Sequence, residues 1–225
     1  MSTHNLPRPR RFDLIVFDWD GTLFDSTALI TRCIQAACAD IGVAVPSNEQ
    51  ASYVIGLGLR DALQYAAPGL PEARYPELGQ RYRHHYIARQ DELVLFDGTL
   101  ALLHALKSRN HWLAVATGKS RQGLDEVLHT VQLKGVFDGT RTADETAGKP
   151  NPLMLVQLMA ELGVAPERTV MIGDTTHDLR MAANAGTASI GVSYGAHEPE
   201  AFAALAPLHV AHSTADLQAW LMDHA

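Results

Sequence analysis

The stretch Leu14-Ile15-Val16-Phe17-Asp18-Trp19-Asp20-Gly21-Thr22-Leu23 decides the fold. Its first four residues are apolar, and two carboxylates one residue apart stand where that run stops. Continuous rather than alternating apolar character marks a strand covered on both faces of a parallel sheet. Comparable runs follow at Trp112 to Ala116, Thr169 to Ile172 and, less purely, Ala188 to Val192, with a weaker one at Leu208 to Ala211 that His209 interrupts. Helical patterns alternate with them: Leu100, Leu103 and Leu106; then Leu153, Val156, Leu158 and Met159; then Ala215 to Met222. This rhythm predicts an α/β fold built on a doubly wound, Rossmann-like, mostly parallel sheet.

From about Asp25 to Leu95 the rhythm breaks. Helical spacing recurs at Leu29, Ile30, Cys33, Ile34, Ala37 and Ile41, at Leu59 and Leu63, and at Tyr75, Leu78, Tyr82 and Tyr86, with no convincing strand. Ser26 stands where the N-cap of the first helix belongs, and Pro68, Gly69 and Pro71 divide the segment in two. The expected organisation is a core of residues 1–24 and 96–225 with an inserted α-helical cap domain of residues 25–95. Trp19 turns away from the two acids by strand alternation and is expected to pack.

With 225 residues, 47% of them hydrophobic and 19% charged, the chain suits one substantial core with a smaller insert. A net charge of -7 offers no basic field for nucleic acid, and Arg8, Arg10 and Arg11 make only a short arm. Cys33 and Cys38 lack metal-ligand spacing and read as reduced packing residues. Leu14 to Phe17 is too short for the apolar part of a signal peptide, and no later run reaches membrane-spanning length. A cytoplasmic protein with no membrane partner is expected.

Three of the apolar runs end in polar groups: Asp18, Thr117 and, past Gly173, Asp174. In a parallel sheet those ends share one edge, where open α/β folds bind ligands. Lys149 precedes Pro150-Asn151-Pro152, whose prolines suit a helix start. Two carboxylates about 4 Å apart repel by roughly 4 kcal/mol at an effective dielectric of about 20, so Asp18, Asp174 and Asp178 can share an edge only with protons or a cation between them. Mg²⁺ answers that need, because it takes one or two carboxylates and keeps positions for water and phosphate.

Asp18-Trp19-Asp20-Gly21-Thr22-Leu23, Thr117-Gly118, Lys149-Pro150 and Gly173-Asp174-Thr175-Thr176-His177-Asp178 resemble the four ordered motifs of the haloacid dehalogenase-like hydrolase superfamily. The helical insert resembles its small α-helical cap, and the likeness is nearest to the phosphoglycolate phosphatase and β-phosphoglucomutase branch. The resemblance implies that Asp18 is the nucleophile and Asp20 the general acid. It also implies Mg²⁺ on the Asp18 carboxylate, the Asp20 main-chain carbonyl and Asp174, with Asp178 in support. Thr117, Gly118 and Lys149 would take phosphate oxygens, and Arg60, in Gly56-Leu57-Gly58-Leu59-Arg60, is the candidate specificity residue of the cap. A carboxylate nucleophile splits one hard hydrolysis into two easier steps. A second acid beside it can exchange protons with the leaving group. The implied partner is a small phosphorylated metabolite, phosphoglycolate or a sugar phosphate, acted on by a monomer or homodimer.

Other readings are weaker. Gly118-Lys119-Ser120 is not a nucleotide-binding P-loop, because Leu113 stands where that motif needs glycine; Lys119 is left between a place near the phosphate and the solvent. Arg81, Arg83, His84, His85 and Arg89 read as a solvated helix face with Glu77 and Glu92 as partners. His177 reads as a loop residue that does not ligate metal, and Asp178 could cap a helix or pair with Arg180. A phosphomutase is the alternative activity, since a phosphoaspartate can pass its phosphoryl group to a sugar. A non-catalytic metabolite-binding protein is the other, but no nucleophile, acid or ligand is missing. Dehalogenation conflicts with Asp20, and phosphonate cleavage with the lack of lysine between Asp25 and Leu95.

Overall fold

The computed structural model describes residues 10–130, 133 and 135–225, so Arg8 of the basic arm lies outside the described residues. The first half of the chain forms β1 (Leu14–Phe17), β2 (Phe24–Asp25), α1 (Thr27–Asp40), α2 (Asn48–Tyr53), α3 (Leu59–Ala66), α4 (Tyr75–Ile87), β3 (Val94–Leu95) and α5 (Thr99–Ser108). The second half forms β4 (Trp112–Thr117), α6 (Arg121–Thr130), β5 (Gly139–Thr142), α7 (Leu153–Leu162), β6 (Thr169–Gly173), α8 (Thr176–Ala185), β7 (Ala188–Val192), β8 (Val210–Ala211) and α9 (Thr214–His224).

Six strands make one parallel sheet in the order β5-β4-β1-β6-β7-β8. The chain starts at the centre, runs out to β5, then crosses back past β1 and winds out to β8. Alternation along the central strands sends Leu14, Val16, Ala114 and Met171 to one face, against Met154 and Leu158 of α7 and Met181 of α8. Ile15, Phe17, Val115 and Ile172 go to the other, against Leu102 and Leu106 of α5 and Leu217 and Leu221 of α9. Both faces are covered, which is why the apolar runs do not alternate in sequence.

The structure adds elements the pattern does not reveal. β5, Gly-Thr-Arg-Thr, carries no apolar run because it is a half-buried edge strand whose Arg141 pairs with Glu161. Only Val210 and Ala211 of the run from Leu208 join the sheet. α2 has six residues and buries only Ala51, too little for a periodic signal, although Ser47 and Gln50 form a complete capping box at its start. The antiparallel pair β2–β3 aligns Phe24 with Leu95 and Asp25 with Val94, bringing together the two ends of the segment that holds α1 to α4.

Helices α1 to α4 bury an apolar cluster of their own that includes Ile34, Cys38, Val54, Leu63 and Leu78. Cys33 and Cys38 are buried and unpaired. Trp19 is buried and stacks on Phe24, with ring centroids 4.8 Å apart. No helix among the described residues is long and apolar enough to cross a membrane.

At the opposite, N-terminal edge of the sheet, His111 is buried and its Nδ1 donates to the Phe12 carbonyl at 3.0 Å. Burial pulls its pKa down from 6.5 to about 4. The unfolded chain therefore takes up this proton first, so the stability contribution is complete above pH 6.5 and is lost as pH falls toward 4. Asp13, held down to about 2 by Arg168 and Arg10, acts in a separate, lower window. Between pH 6.5 and pH 4 His111 works against the gain that Asp18 and Asp174 make on taking up protons, so His111→Gln, which keeps a donor but cannot titrate, should raise the urea midpoint at pH 4 relative to that at pH 6.5, compared with the unaltered protein. Identical slopes in the two proteins would show that His111 makes no such contribution.

Candidate active site

The register aligns Phe17 with Val115 on one side and Ile172 on the other. Asp18, Thr117 and Asp174 therefore emerge together at the C-terminal edge of the sheet, on the strands flanking its switch point. Asp18, Asp174 and Asp178 each offer a carboxylate oxygen, and these atoms lie within 4.8 Å of one another, all buried. At that spacing each pair of charges repels by about 3–4 kcal/mol for an effective dielectric of about 20. The compensation is visible in two forms.

Lys149 supplies the first. Its Nζ is 2.5 Å from Asp18 Oδ1 and 2.6 Å from Asp178 Oδ1, with no side-chain exposure. Burial pulls the ammonium toward neutrality, but Asp178 and Asp18 outweigh it, and Lys149 stays protonated. A raised proton affinity is the second. Burial, followed by the charge of Asp178, lifts Asp174 to about 7 against the opposing hydrogen bonds from Ala196 and Thr22. Asp18 is likewise raised, chiefly by burial, against the pull of Lys149.

Each acid is held by specific neighbours. Asp174 Oδ1 accepts from the Thr22 hydroxyl at 2.9 Å, and Oδ2 from the Ala196 N–H at 2.7 Å. A Cβ on Gly21, whose φ is +81°, would lie 2.1 Å from Asp174 Oδ2, so this position needs glycine for both backbone and space. Asp178 closes the capping box of α8, where its Oδ2 accepts from the Thr175 N–H at 3.1 Å and hydroxyl at 2.6 Å. Its ion-pair partner is Lys149, not Arg180. His177 lies in the first turn of α8 rather than in a loop, and its Nε2 meets the Tyr53 carbonyl at 2.8 Å.

Asp20 is set apart from this group. Its Oδ1 accepts from the Ser26 hydroxyl at 2.8 Å, and its Oδ2 pairs with Lys119 Nζ at 3.1 Å. Ser26 thus occupies the N-cap position of α1 without capping it, because its hydroxyl is turned to Asp20. Of the two places left open for Lys119, the solvent is the one it does not take: the side chain is nearly buried and also donates to the Tyr86 hydroxyl of α4 at 2.8 Å.

The hydroxyl of Thr117 is buried and accepts from the Lys119 N–H at 3.2 Å. A Cβ on Gly118 would lie 2.3 Å from the Leu57 carbonyl oxygen, so the α2–α3 loop closes directly over it and leaves room for glycine alone. Arg60 lies elsewhere: it is exposed and its guanidinium pairs with Glu72. It lines a cavity of about 520 Å³ that also touches Asp61, Arg83, Gly118, Asp144 and Gly148. A second cavity, of about 200 Å³, opens beside Asp20 and Lys119 against Ile30, Ile34, Tyr82 and Tyr86. Arg83 lines both cavities, whereas Arg89 and Arg74 pair with Glu92 and Glu77 as a solvated face does.

The donor set fits a hard divalent cation. Among the described residues it consists of carboxylate oxygens with no thiolate or imidazole, and Asp18 Oδ2 is buried with no hydrogen-bond partner among them. The carboxylate of Asp20 is not in that set. Thr22, Ser26, Lys119, Tyr86 and Ala196 complete the site without having been marked as site residues in the sequence. Thr22 had a signal as a member of the first motif, and Lys119 as the residue after Thr117-Gly118 with one of its two readings near the phosphate; the contacts of Ser26, Tyr86 and Ala196 arrive through chain reversals that no local spacing encodes.

Residues 15–192 match the family model for haloacid dehalogenase-like hydrolases. A 5'-nucleotidase of Pseudomonas aeruginosa is 34% identical over 223 residues, covering 95% of this chain and 97% of that protein. A phosphoglycolate phosphatase of Agrobacterium fabrum is 30% identical over 188 residues, 81% of each chain. The crystal structure of a haloacid dehalogenase-like hydrolase from Bacteroides fragilis superposes with a TM-score of 0.85 at 24% identity, covering 92% of this chain and 99% of that one. A matched model that runs from β1 through β7, and with it all four clusters of site residues, makes this chain a member of the haloacid dehalogenase-like hydrolases.

Proposed function

We propose that the chain is a Mg²⁺-dependent phosphatase that hydrolyses a small phosphate monoester, of the phosphoglycolate or sugar phosphate class, through a phosphoaspartate on Asp18. The observation that carries this reading is the state of Asp18: Lys149 fixes Oδ1, while Oδ2 is buried and has no hydrogen-bond partner among the described residues. An oxygen so placed keeps its lone pairs for phosphorus. The phosphatase names of the two relatives support the same reaction class.

Asp18 and Asp174, with the Asp20 main-chain carbonyl and Asp178 in support, would hold Mg²⁺, whose charge draws in the phosphate and offsets the charge of the transferring group. Asp18 Oδ2 attacks phosphorus as the bond to the ester oxygen breaks. Asp20 gives that oxygen its proton, and the resulting carboxylate then takes a proton from the water that attacks the phosphoaspartate. Lys149, the Thr117 hydroxyl and the Gly118 N–H hold phosphate oxygens. The insert acts as the cap: its Gly56–Leu57 backbone lies over Gly118 and screens the site from water.

Phosphate release from a panel of metabolite monoesters and p-nitrophenyl phosphate, with and without EDTA, tests the proposal. Turnover should stop in EDTA and return with added Mg²⁺. Full activity in EDTA would remove the metal from the reading, and isomerised sugar phosphate without phosphate release would replace the phosphatase by a mutase.

A further inference from the structure

The contact between Asp20 and α4 runs through one lysine. Lys119 follows Thr117-Gly118 at the end of β4, yet its side chain neither reaches Asp18 nor leaves for solvent. Its Nζ lies 3.1 Å from Asp20 Oδ2, donates to the Tyr86 hydroxyl at 2.8 Å and stands 4.7 Å from the centroid of the Tyr86 ring. Only 11% of the side chain of either Lys119 or Asp20 is exposed. Tyr86 belongs to α4 of the insert, and Lys119 to the sheet domain. The other oxygen of Asp20 accepts from Ser26 at the opposite end of the insert's path.

We propose that Lys119, tethered by Tyr86, is a positioning residue that sets the orientation of the Asp20 carboxyl and ties it to the seating of the insert on the sheet. The inference rests on the general-acid role given to Asp20 above. An aspartate has two χ angles, and two anchors on different oxygens fix both. The ammonium also lies where negative charge grows on Asp20 as its proton passes to the ester oxygen and the P–O bond breaks, so the pair is strengthened as the proton leaves. Lys119 keeps its own protons throughout. The nearby Lys149 cannot substitute, because it is engaged by Asp18 and Asp178.

A leaving group that needs no proton separates positioning of the acid from phosphate binding or simple support. The measured quantity is kcat/KM, which reports the first phosphoryl transfer and is blind to later hydrolysis of the phosphoaspartate. Lys119→Met should lower kcat/KM for an alkyl phosphate such as phosphoglycolate by about 10- to 100-fold, within the range of general acid catalysis. For p-nitrophenyl phosphate, whose phenolate departs unprotonated, the change should stay within about threefold. Lys119→Arg should restore most of the alkyl phosphate rate. Tyr86→Phe, which removes one hydroxyl and keeps the ring, should show the same selective loss in weaker form, and it serves if Lys119→Met fails to fold. Equal losses on both substrates, no loss, or a gain on the alkyl ester would overturn the assignment. If the unaltered enzyme hydrolyses neither ester while Mg²⁺ is present, the phosphatase reading falls and this inference with it.

Discussion

Asp18→Asn should lower phosphate release by at least about three orders of magnitude while leaving the folded state as stable as before or more so. The amide keeps the size of the side chain but has no anionic oxygen to offer phosphorus. The stability half of the expectation follows from the raised pKa of Asp18. Folding favours its protonated form, chiefly through burial, so at neutral pH the ionised carboxylate costs stability. Replacing it by a neutral isostere removes that cost, and Lys149 keeps Asp178 as a partner. Phosphate release and urea midpoints measured on the same preparation check both halves. Retained activity would eliminate the nucleophile; lost activity together with a large drop in midpoint would show that Asp18 serves the fold.

Lys149→Met has the opposite signature. Its flexible chain is close to lysine in volume, so packing is kept while the charge between Asp18 and Asp178 is deleted. Removing one partner of a buried ionic cluster costs roughly 3–5 kcal/mol, because the acids left behind remain out of water. Without metal this loss should be largest at high pH and shrink as pH falls and Asp18 takes up its proton, since its folded pKa, already raised by burial, moves further up once the opposing ammonium is gone. Added Mg²⁺ should recover part of it. In the metal-loaded enzyme, kcat/KM should fall by about 10²- to 10³-fold for want of a donor to the phosphate. A variant with unchanged catalytic efficiency, or a stability loss that ignores both pH and Mg²⁺, would contradict the position assigned to Lys149.

These two substitutions probe the part of the site that reads most directly from the chain. Asp18, Thr117 and Asp174 each follow an apolar run, and a parallel sheet with both faces covered must bring the ends of such runs to one edge. The repulsion expected among Asp18, Asp174 and Asp178 is met in the structure by a lysine between two of them and a raised pKa on a third group, Asp174. Asp178 answers to two descriptions at once, capping α8 through one oxygen and pairing with Lys149 through the other.

Arg60 and Lys119 mark where the reading stops. Both are single cations in polar surroundings, and nothing in their spacing separates a side chain that meets Glu72 at the surface from one that meets Asp20 inside. Likewise Ser26 has the residue type and position of a cap, and only the return of the chain around Gly21 brings Asp20 near enough to take its hydroxyl. β5 was silent because edge strands need no apolar run, and α2 because a six-residue helix completes too few turns to show a period.

The sequence by itself determined the layered α/β plan and the three strand ends that carry Asp18, Thr117 and Asp174, because burial on both sheet faces writes itself as continuous apolar runs. Tertiary structure alone decided which cation meets which acid: Lys149 between Asp18 and Asp178, Lys119 between Asp20 and Tyr86, Arg60 on Glu72. Long side chains meet partners 12 to 131 residues away along the chain, and their pairing is fixed by distances that exist only once the chain has folded.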